Sequence, residues 1–434
     1  MLDAIGVATT EDLFRDIPTE LRQRATLDLP PGLGEMELRA RVESLARNNF
    51  ASYERCFVGA GAYAHFIPSV VDHILQRAEF YSAYTPYQPE VSQGTLQATY
   101  EFQTLVAMLF GMEVANASMY DGASASAEAV LMALRLRPTR HRILVARSLH
   151  PQYREVIRTY LEGSSYSLEE IPFAADGATD ISYLTSRLGE DVAAAVFGYP
   201  NFFGVIEDLG ALVTEVRRCG ALAITATAEP LALGILRPPG EFGVDIAVGE
   251  GQSLGMPLSY GGPGVGLFAT RLEFVRNMPG RLVGETIDSA GRRAFVLTLA
   301  TREQHIRRER ATSNICTNHG LMALAFTVHL SLLGKQGFRE LATLNFTRAH
   351  KVAEELERRG WRRVFARPFF HEFVVAHPDL HARYQSALAK QLLPGVPLRR
   401  WYPELEDALL LCVTETPSAE ATQALLDALA PRTG

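Results

Sequence analysis

The sequence predicts an α/β protein with a mainly parallel sheet and a smaller α/β domain at its C-terminal end. Seven short apolar runs alternate with helix-length segments between residues 114 and 269, a pattern typical of parallel strands covered on both faces by helices. Long helical patterns return from about residue 320, and two more strands are predicted near Phe370–Val375 and Ala408–Thr414. The 47% hydrophobic and 21% charged residues indicate a globular protein.

The elements before the sheet are predicted from helix breaks and periodicity. Residues 1–50 are expected to form short helices around Pro30-Pro31-Gly32, because proline and glycine interrupt helices. The aromatic segment Tyr81–Gly94 is expected to be compact and irregular, and the helical periodicity of Thr95–Phe110 ends at Gly111. Three domains are expected: N-terminal helices with an interface loop (1–94), a large α/β domain (95–330) and a small C-terminal domain (331–434).

Seven strands are predicted for the large sheet, each a short apolar run bounded by turn or helix signals. In chain order they are Val114–Met119, Arg142–Ala146, Tyr166–Ile171, Val192–Phe197, Leu222–Thr225, Val244–Val248 and Gly266–Ala269. The last of them follows a glycine-rich turn.

Composition excludes several classes of protein. The net charge of −7 argues against a dedicated nucleic-acid binder. No apolar run reaches the roughly 18–20 residues that span a membrane, and no early basic run marks a signal peptide. The four cysteines form no CxxC pair, so neither a metal site nor a disulfide framework is predicted. A cytoplasmic enzyme or enzyme subunit is the expected class.

The first candidate binding site is Asp121–Glu128, which opens a helix directly after a strand. Small residues at a helix start let backbone N–H groups and the helix dipole meet an anion such as phosphate. Ser124 and Ser126 add hydroxyl donors. Ordinary helix capping by Asp121 or Ser124 is the alternative.

Two more candidates follow strands, at the edge where ligands collect in open α/β sheets. His150 comes after Arg142–Ala146 and offers an imidazole that can stack on an aromatic ligand. Asn201, within Tyr199–Gly204, offers an amide that can orient a ring substituent or a carboxylate. A capping or core histidine and a simple Pro/Asn/Gly turn are the alternatives.

The fourth candidate is the arginine-rich segment Thr301–Arg310 with the polar residues Thr312, Ser313 and Asn314 after it. Arginine binds carboxylate and phosphate groups through two parallel hydrogen bonds. A solvated, salt-bridged helix face is the alternative. Such a face does not need the small polar loop that follows.

Several longer stretches together resemble the P-protein family of the glycine cleavage system. They are Tyr84–Gly94, Tyr199–Glu207, Pro257–Pro263, Arg302–Arg308 and Thr312–Thr317. More narrowly, the chain is similar to the N-terminal half of the long single-chain P-protein, which in many bacteria is a separate α chain paired with a β chain. The resemblance implies the aspartate-aminotransferase-like fold of enzymes that use pyridoxal phosphate (PLP), known as fold type I.

This resemblance makes the lysines of the chain informative, because PLP enzymes need a lysine for the Schiff base with the cofactor. The chain has three, Lys335, Lys351 and Lys390. Cofactor-binding members of the family place theirs a few residues after the strand that corresponds to Val244–Val248. Here Gln252 and Ser253 lie near that position.

A second anchor is missing as well. In the family an aspartate faces the pyridine nitrogen, at the end of the strand that corresponds to Leu222–Thr225. This chain has no aspartate from Leu209 through Val244. We therefore expect no covalently bound PLP and no catalytic residue of the chain's own. The residues interpreted as a vestigial pocket are Ser124, Ser126, His150, Asn201 and Thr225.

The resemblance also implies a reaction and partners. Glycine is decarboxylated with PLP on a partner β subunit, and the aminomethyl group passes to the lipoyl arm of the H-protein. An α2β2 assembly is implied, with active sites between subunits, and the isolated chain is expected to be inactive. The residues expected to act in trans at the partner site are Tyr84, Thr85, Tyr87, Gln88, Glu90, Gln93, Arg302, His305, Arg307, Thr312, Ser313 and Asn314.

Within that set, Thr312, Ser313 and Asn314 are expected to bond the PLP phosphate across the interface. Arg302 or Arg307 is expected to face the glycine carboxylate or the H-protein. Two alternatives stay open. One is a non-catalytic scaffold that only stabilises β or docks the H-protein. The other is a free-standing PLP enzyme that uses one of the three lysines.

Overall fold

The computed structural model describes residues 1–25, 28–49 and 53–430, and the chain divides into two compact units after residue 50. The helices of the first unit are Leu2–Ile5 (α1), Thr19–Arg24 (α2) and Glu35–Ala46 (α3). They flank the Pro30-Pro31-Gly32 break, as predicted. None of the residues described in this unit is buried, so it forms no hydrophobic core by itself.

The second unit contains the sheets. Its helices are Ser69–Leu75 (α4), Ala78–Tyr81 (α5), Gln93–Phe110 (α6), Gly122–Leu136 (α7), Pro151–Leu161 (α8), Ile181–Arg187 (α9), Leu209–Arg218 (α10), Gln304–Arg307 (α11), Gly320–Arg358 (α12), Leu380–Ala389 (α13) and Ala419–Leu429 (α14). Its strands are Val114–Ala115 (β1), Arg142–Ala146 (β2), Ser167–Ile171 (β3), Val192–Gly198 (β4), Leu222–Thr227 (β5), Ile246–Glu250 (β6), Gly266–Thr270 (β7), Leu282–Ile287 (β8), Arg293–Thr298 (β9), Arg362–Arg363 (β10), Glu372–Ala376 (β11), Val396–Pro397 (β12) and Ala408–Cys412 (β13).

The large sheet has seven strands in the order β1-β7-β6-β5-β4-β2-β3. β7 is antiparallel to both β1 and β6, and the other strand pairs of this sheet that the structure describes are parallel, so the prediction of a mainly parallel sheet is confirmed. Burial on both faces explains the near-continuous apolar strands. In β2, Leu144 packs into the core formed with α6, α10 and α12, whereas Ile143 and Val145 pack into the core formed with α7 and α8.

A smaller antiparallel sheet lies near the C-terminal end, in the order β10-β11-β13-β12. It confirms the two strands predicted there, although the first of them begins at Glu372 rather than Phe370. The predicted domain boundary at 330/331 falls inside α12, close to Gly334, whose backbone is not helical (φ 59°, ψ −175°). The boundaries stay a prediction.

The structure corrects several predicted bounds. The strand predicted over Val114–Met119 is interrupted. Val114–Ala115 pair with β7 and Met119 forms an isolated bridge with Gly266, while Ser118 between them has a positive φ of 108°. The long helix predicted from near Thr317 begins at Gly320. The hairpin formed by β8 and β9 was missed, although Asp288 and Gly291 mark its turn. Among the described residues, no helix is long and apolar enough to cross a membrane.

Candidate functional site: a closed pocket and an open cavity

The carboxyl ends of the parallel strands surround a small cavity of about 20 Å³. Its described wall includes His150 and Asn201, but not Ser124, Ser126 or Thr225. Such a volume holds about one water molecule, whereas pockets that bind small molecules span about 300–1,000 Å³. The space therefore cannot receive an aromatic cofactor.

The N-terminus of α7, predicted as a phosphate site, is already occupied by a side-chain carboxyl group of the chain. Oε2 of Glu250 accepts a hydrogen bond of 2.9 Å from the Gly122 N–H. Oε1 accepts from the N–H groups of Gln252 (3.0 Å) and Val265 (2.9 Å). A carboxylate suits a helix N-terminus for the same reason as a phosphate. Glu250 thus takes the place predicted for an external anion.

The two serines of this segment have internal hydrogen bonds. Ser124 and Asp121 form a capping box, in which Ser124 N–H donates to Asp121 Oδ1 (2.7 Å) and Asp121 N–H donates to Ser124 Oγ (3.2 Å). The hydroxyl of Ser126 donates to the Gly122 carbonyl (2.7 Å). The structure therefore favours the capping interpretation of Asp121 and Ser124.

His150 lies at the pocket but is held by the chain. Its Nδ1 accepts from the Gln152 N–H (3.2 Å), so its Nε2–H is the donor to the Ala60 carbonyl (2.7 Å). Its ring packs against Tyr153 and Phe202, with centroids 4.8 and 5.0 Å apart. Burial lowers the pKa of His150 to about 4, so the ring is neutral. It packs against side chains of the chain, whereas a stacked ligand ring was predicted.

Asn201 holds the loop after β4. Its amide donates to the Gly177 carbonyl and to Glu207 Oε1, both at 2.9 Å. Its side-chain oxygen accepts from the N–H groups of Phe203 (3.0 Å) and Val205 (3.2 Å). This full set of partners matches the turn interpretation of the segment.

The residues near the two positions where the family has its cofactor anchors have structural roles in this chain. Gln252 bonds both the N–H and the carbonyl of Tyr63, and the hydroxyl of Ser253 donates to Glu229 Oε1 (2.7 Å). Thr225 lies inside β5 and not at its end, because the strand continues to Thr227.

A buried charged cluster, which the sequence analysis missed, borders the pocket through Glu229. His65 Nε2 lies 3.1 Å from Glu229 Oε2, and His65 Nδ1 lies 2.8 Å from Glu415 Oε2. Burial opposes the charge on His65, but the two carboxylates outweigh it and raise its pKa to about 10. Burial raises the pKa of Glu229, but the neighbouring His65 outweighs this effect and lowers that pKa well below its usual range. Nearby, the Tyr63 hydroxyl donates to Glu372 Oε2 (2.7 Å).

PLP does not fit this pocket. A Cβ built on Gly122 would lie only 2.3 Å from the hydroxyl oxygen of Tyr153. The Tyr153 side chain therefore covers the start of α7. Glu250 occupies the helix N-terminus where a phosphate was predicted to bind, and the cavity of about 20 Å³ is too small for a pyridine ring. The described wall contains no lysine.

A second, open cavity of about 200 Å³ lies beside two segments, 84–93 and 302–314, that contain the residues expected to act in trans. Tyr84 and Thr85 contribute from one segment, and Thr317 and Asn318 follow the other. Arg281 also lines the cavity, although no sequence signal singled it out. Residues far apart in the chain thus form one surface that exposes aromatic and polar groups.

Arg281 connects the two segments. Its side chain is 4% exposed, and its Nε lies 3.2 Å from Glu303 Oε2. The same guanidinium donates to the Tyr87 hydroxyl (3.0 Å) and to Thr85 Oγ1 (3.4 Å). His305 packs edge-on against the Tyr87 ring, with centroids 5.8 Å apart.

Of the remaining candidates, some are hydrogen-bonded within the chain or half-buried, and the others are exposed. Gln93 exchanges two hydrogen bonds of 2.9 Å with the backbone of Phe295, and Arg302 donates to the carbonyls of Leu299, Met278 and Gly280. Ser313 accepts from the Ile315 N–H (3.1 Å), and Thr312 is half-buried. The exposed candidates are Tyr84, Tyr87, Gln88, Glu90, His305, Arg307 and Asn314.

The Glu250→Gln variant tests the occupied anion position. Burial raises the pKa of Glu250 to about 7, against its three backbone donors, whereas the unfolded value is about 4.3. The folded state therefore holds the proton more tightly, and this stability is lost as the pH rises from about 5 to 8. The free energy of unfolding of the wild type should fall relative to the variant by about 3 kcal/mol over that range.

Urea unfolding at several pH values measures this difference. The other titrating groups are common to both proteins and cancel. A difference that stays constant from pH 5 to 8 would show that Glu250 titrates normally.

Comparisons with known proteins agree with this architecture. A family model described as the glycine cleavage system P-protein matches residues 1–429. A probable glycine dehydrogenase (decarboxylating) subunit 1 from Anaeromyxobacter dehalogenans is 51% identical over 98% of this chain and 95% of its own length. The protein with the same description from Geobacillus thermodenitrificans is 50% identical over 97% and 94%.

Solved structures agree too. A glycine decarboxylase (P-protein) of the glycine cleavage system, in inhibitor-bound form, superposes with a TM-score of 0.91 at 44% identity, covering 99% of this chain and 96% of that one. A sphingosine-1-phosphate lyase from Burkholderia pseudomallei, 17% identical (TM-score 0.69; 94% of this chain, 93% of that one), shares the fold alone. The expected fold type I is confirmed, and the chain belongs to the P-protein family of the glycine cleavage system.

Proposed function

We propose that the chain is the cofactor-free α subunit of a two-chain glycine decarboxylase, with PLP on the β subunit. The observation that carries this proposal is the small cavity of about 20 Å³ at the carboxyl ends of the strands, lined by His150 and Glu229, together with Glu250 bonded at the start of α7. The chain has the fold of PLP enzymes, but its own side chains occupy the expected cofactor site. The cofactor of the complex would therefore be bound by another subunit. The complex would decarboxylate glycine and transfer the aminomethyl group to the lipoyl arm of the H-protein.

The contribution of this chain would come from the surface around the open cavity. Arg307 and Asn314 are exposed. Nearby in the chain, Arg281 holds the Tyr87 hydroxyl and Arg302 bonds backbone carbonyls. Rigid support under exposed polar groups is what a site completed in trans requires, because catalytic groups lose effectiveness when displaced by about 1 Å. Glycine carboxylate, PLP phosphate and the H-protein are anionic or polar partners that arginine and asparagine can bond.

The assembly we propose is α2β2 in the cytoplasm. Enzymes of this fold form active sites at subunit interfaces. Because the pocket of this chain is closed, an active site at its interface needs a partner that carries the cofactor. The three domains 1–94, 95–330 and 331–434 remain our proposal for how the chain is organised.

Reconstitution of the variants Arg307→Ala and Asn314→Ala with the β subunit tests the contribution in trans. Each variant loses one exposed polar group and no core contact, so folding and assembly should be unchanged. We expect kcat/KM for glycine decarboxylation to fall about 10- to 100-fold in at least one of them. The matched control is Arg339→Ala, which removes an exposed arginine from α12.

Size-exclusion chromatography verifies assembly in each case. If both variants assemble and keep the activity of the Arg339→Ala complex, these two residues have no catalytic role. That outcome would favour the alternative of a subunit that only stabilises β or docks the H-protein.

A further inference from the structure

The buried cluster in the closed pocket has the composition of a metal centre. We propose that His65, Glu229 and His371 form a binding site for one divalent transition-metal ion of the Zn²⁺ type. Their candidate ligand atoms all lie within 4.8 Å of one another. Two imidazoles and one carboxylate are a donor set that zinc and similar ions prefer in proteins.

The distances suit a small ion. His65 Nε2 and His371 Nε2 lie 3.1 and 3.6 Å from the same oxygen, Glu229 Oε2. Donor atoms about 2.0–2.2 Å from a tetrahedral zinc ion lie roughly 3.3 Å from one another. Small side-chain movements would therefore bring the three atoms onto one ion.

His371 gives an independent indication of a missing partner. Its side chain is 2% exposed, and Nε2 has no hydrogen-bond partner among the described residues. Buried imidazole nitrogens are normally bonded, because an unsatisfied one costs free energy. The atom faces the Glu229 carboxylate at 3.6 Å, and a cation between them would bond both.

The surroundings orient the ligands as a metal site requires. His65 Nδ1 lies 2.8 Å from Glu415 Oε2, and a metal-binding histidine usually donates its second N–H to a carboxylate in this way. The other oxygen of Glu229 accepts from Ser253 Oγ (2.7 Å) and from the Leu231 N–H (2.9 Å). These contacts fix two of the three ligands before any ion arrives.

Charge and space favour the same conclusion. A proton on His65 balances only one of the buried carboxylates of Glu229 and Glu415, whereas a divalent ion on neutral imidazoles balances both. The cavity of about 20 Å³ borders Glu229 and His371 and has room for one water as a fourth ligand. The three ligands come from distant parts of the chain, which is why sequence spacing predicted no metal site.

Titration of the metal-free, full-length chain with Zn²⁺, and separately with Co²⁺, tests the proposal. We expect one ion per chain and, for Co²⁺, the intense visible bands of four-coordinate cobalt. His371→Gln should abolish both. Glu415→Gln should weaken binding about 10- to 100-fold, as loss of a carboxylate partner of a ligand does. The matched control His350→Gln, a histidine bonded to the Phe369 carbonyl outside the cluster, should bind like the wild type.

The proposal is overturned if the wild type binds no more Zn²⁺ than His371→Gln, or if His350→Gln loses binding equally. Circular dichroism checks that each variant is folded. Should His371→Gln fail to fold, the cobalt spectrum of the wild type decides: no four-coordinate bands means no site. Glycine decarboxylation by the assembled complex is assayed separately, so failure here leaves the proposed function untouched.

Discussion

Arg281→Ala should lower kcat/KM of the reconstituted complex about 100-fold. It should also reduce the free energy of unfolding of the chain by about 3–5 kcal/mol. The reason for the stability loss is that Glu303, with 10% of its side chain exposed, loses the guanidinium that lies 3.2 Å from its Oε2. The reason for the activity loss is that Tyr87 and Thr85 lose the guanidinium that holds them beside the open cavity. Steady-state kinetics after reconstitution and urea unfolding of the isolated chain measure the two effects.

Two controls separate charge from geometry at this position. Arg281→Lys keeps the positive charge but cannot reach Glu303, Tyr87 and Thr85 together, so we expect partial recovery of stability and little recovery of activity. Tyr87→Phe removes one hydroxyl contact and keeps the ion pair. Full activity in an assembled Arg281→Ala complex would mean that the surface around the open cavity does not serve the reaction.

Gly204→Ala should destabilise the chain by about 4 kcal/mol or more. Gly204 has a φ of +79°, and a Cβ built on it would lie 1.9 Å from the backbone oxygen of Glu372. The left-handed backbone costs a non-glycine residue about 1–2 kcal/mol, and the collision with β11 adds the rest. Because Glu372 lines the closed pocket, the substitution should also disturb the cluster there.

Gly163→Ala is the matched control for Gly204→Ala. Gly163 has almost the same φ, +77°, but a Cβ there would meet nothing within 4 Å. Its substitution should therefore cost only the backbone term, about 1–2 kcal/mol. Equal melting temperatures for the two variants would show that the contact between Gly204 and β11 is looser than the structure indicates.

Local patterns carried most of the fold prediction. The strand Arg142–Ala146 has the predicted bounds, and the helix predicted to stop at Gly111 ends there in a left-handed cap. Strand and helix periodicities are properties of neighbouring residues, so a single sequence displays them. The hairpin of β8 and β9 carried such a signal too, in the turn at Asp288–Gly291, but the prediction overlooked it.

The long-range contacts around the pocket and at the start of α7 were not predictable in this way. Gly122 and its acceptor Glu250 are 128 residues apart, and His65 and Glu415 are 350 residues apart. Each of these residues looks ordinary in its own segment, and only the folded chain brings them together. The absence of a lysine near Gln252 predicted that no Schiff base forms, but not that a carboxylate fills the phosphate position.

Arg281 was missed for the same reason. One of its partners, Tyr87, lies 194 residues away, and no arginine-rich motif surrounds it. Arg302 was chosen from such a motif, yet its side chain bonds the backbone carbonyls of Leu299 and Gly280. Sequence motifs identified the segments beside the open cavity. The structure distinguishes the residues of these segments that are hydrogen-bonded within the chain from those that are exposed.

Locating the Schiff base in the assembled enzyme tests the central claim most directly. The complex of the chain with its β subunit is incubated with PLP, reduced with borohydride, and each chain is digested and analysed by mass spectrometry. We expect the reduced pyridoxyl group on a lysine of the β subunit and none on this chain. Stoichiometric labelling of Lys335, Lys351 or Lys390 would contradict the account, because this chain would then hold the cofactor itself.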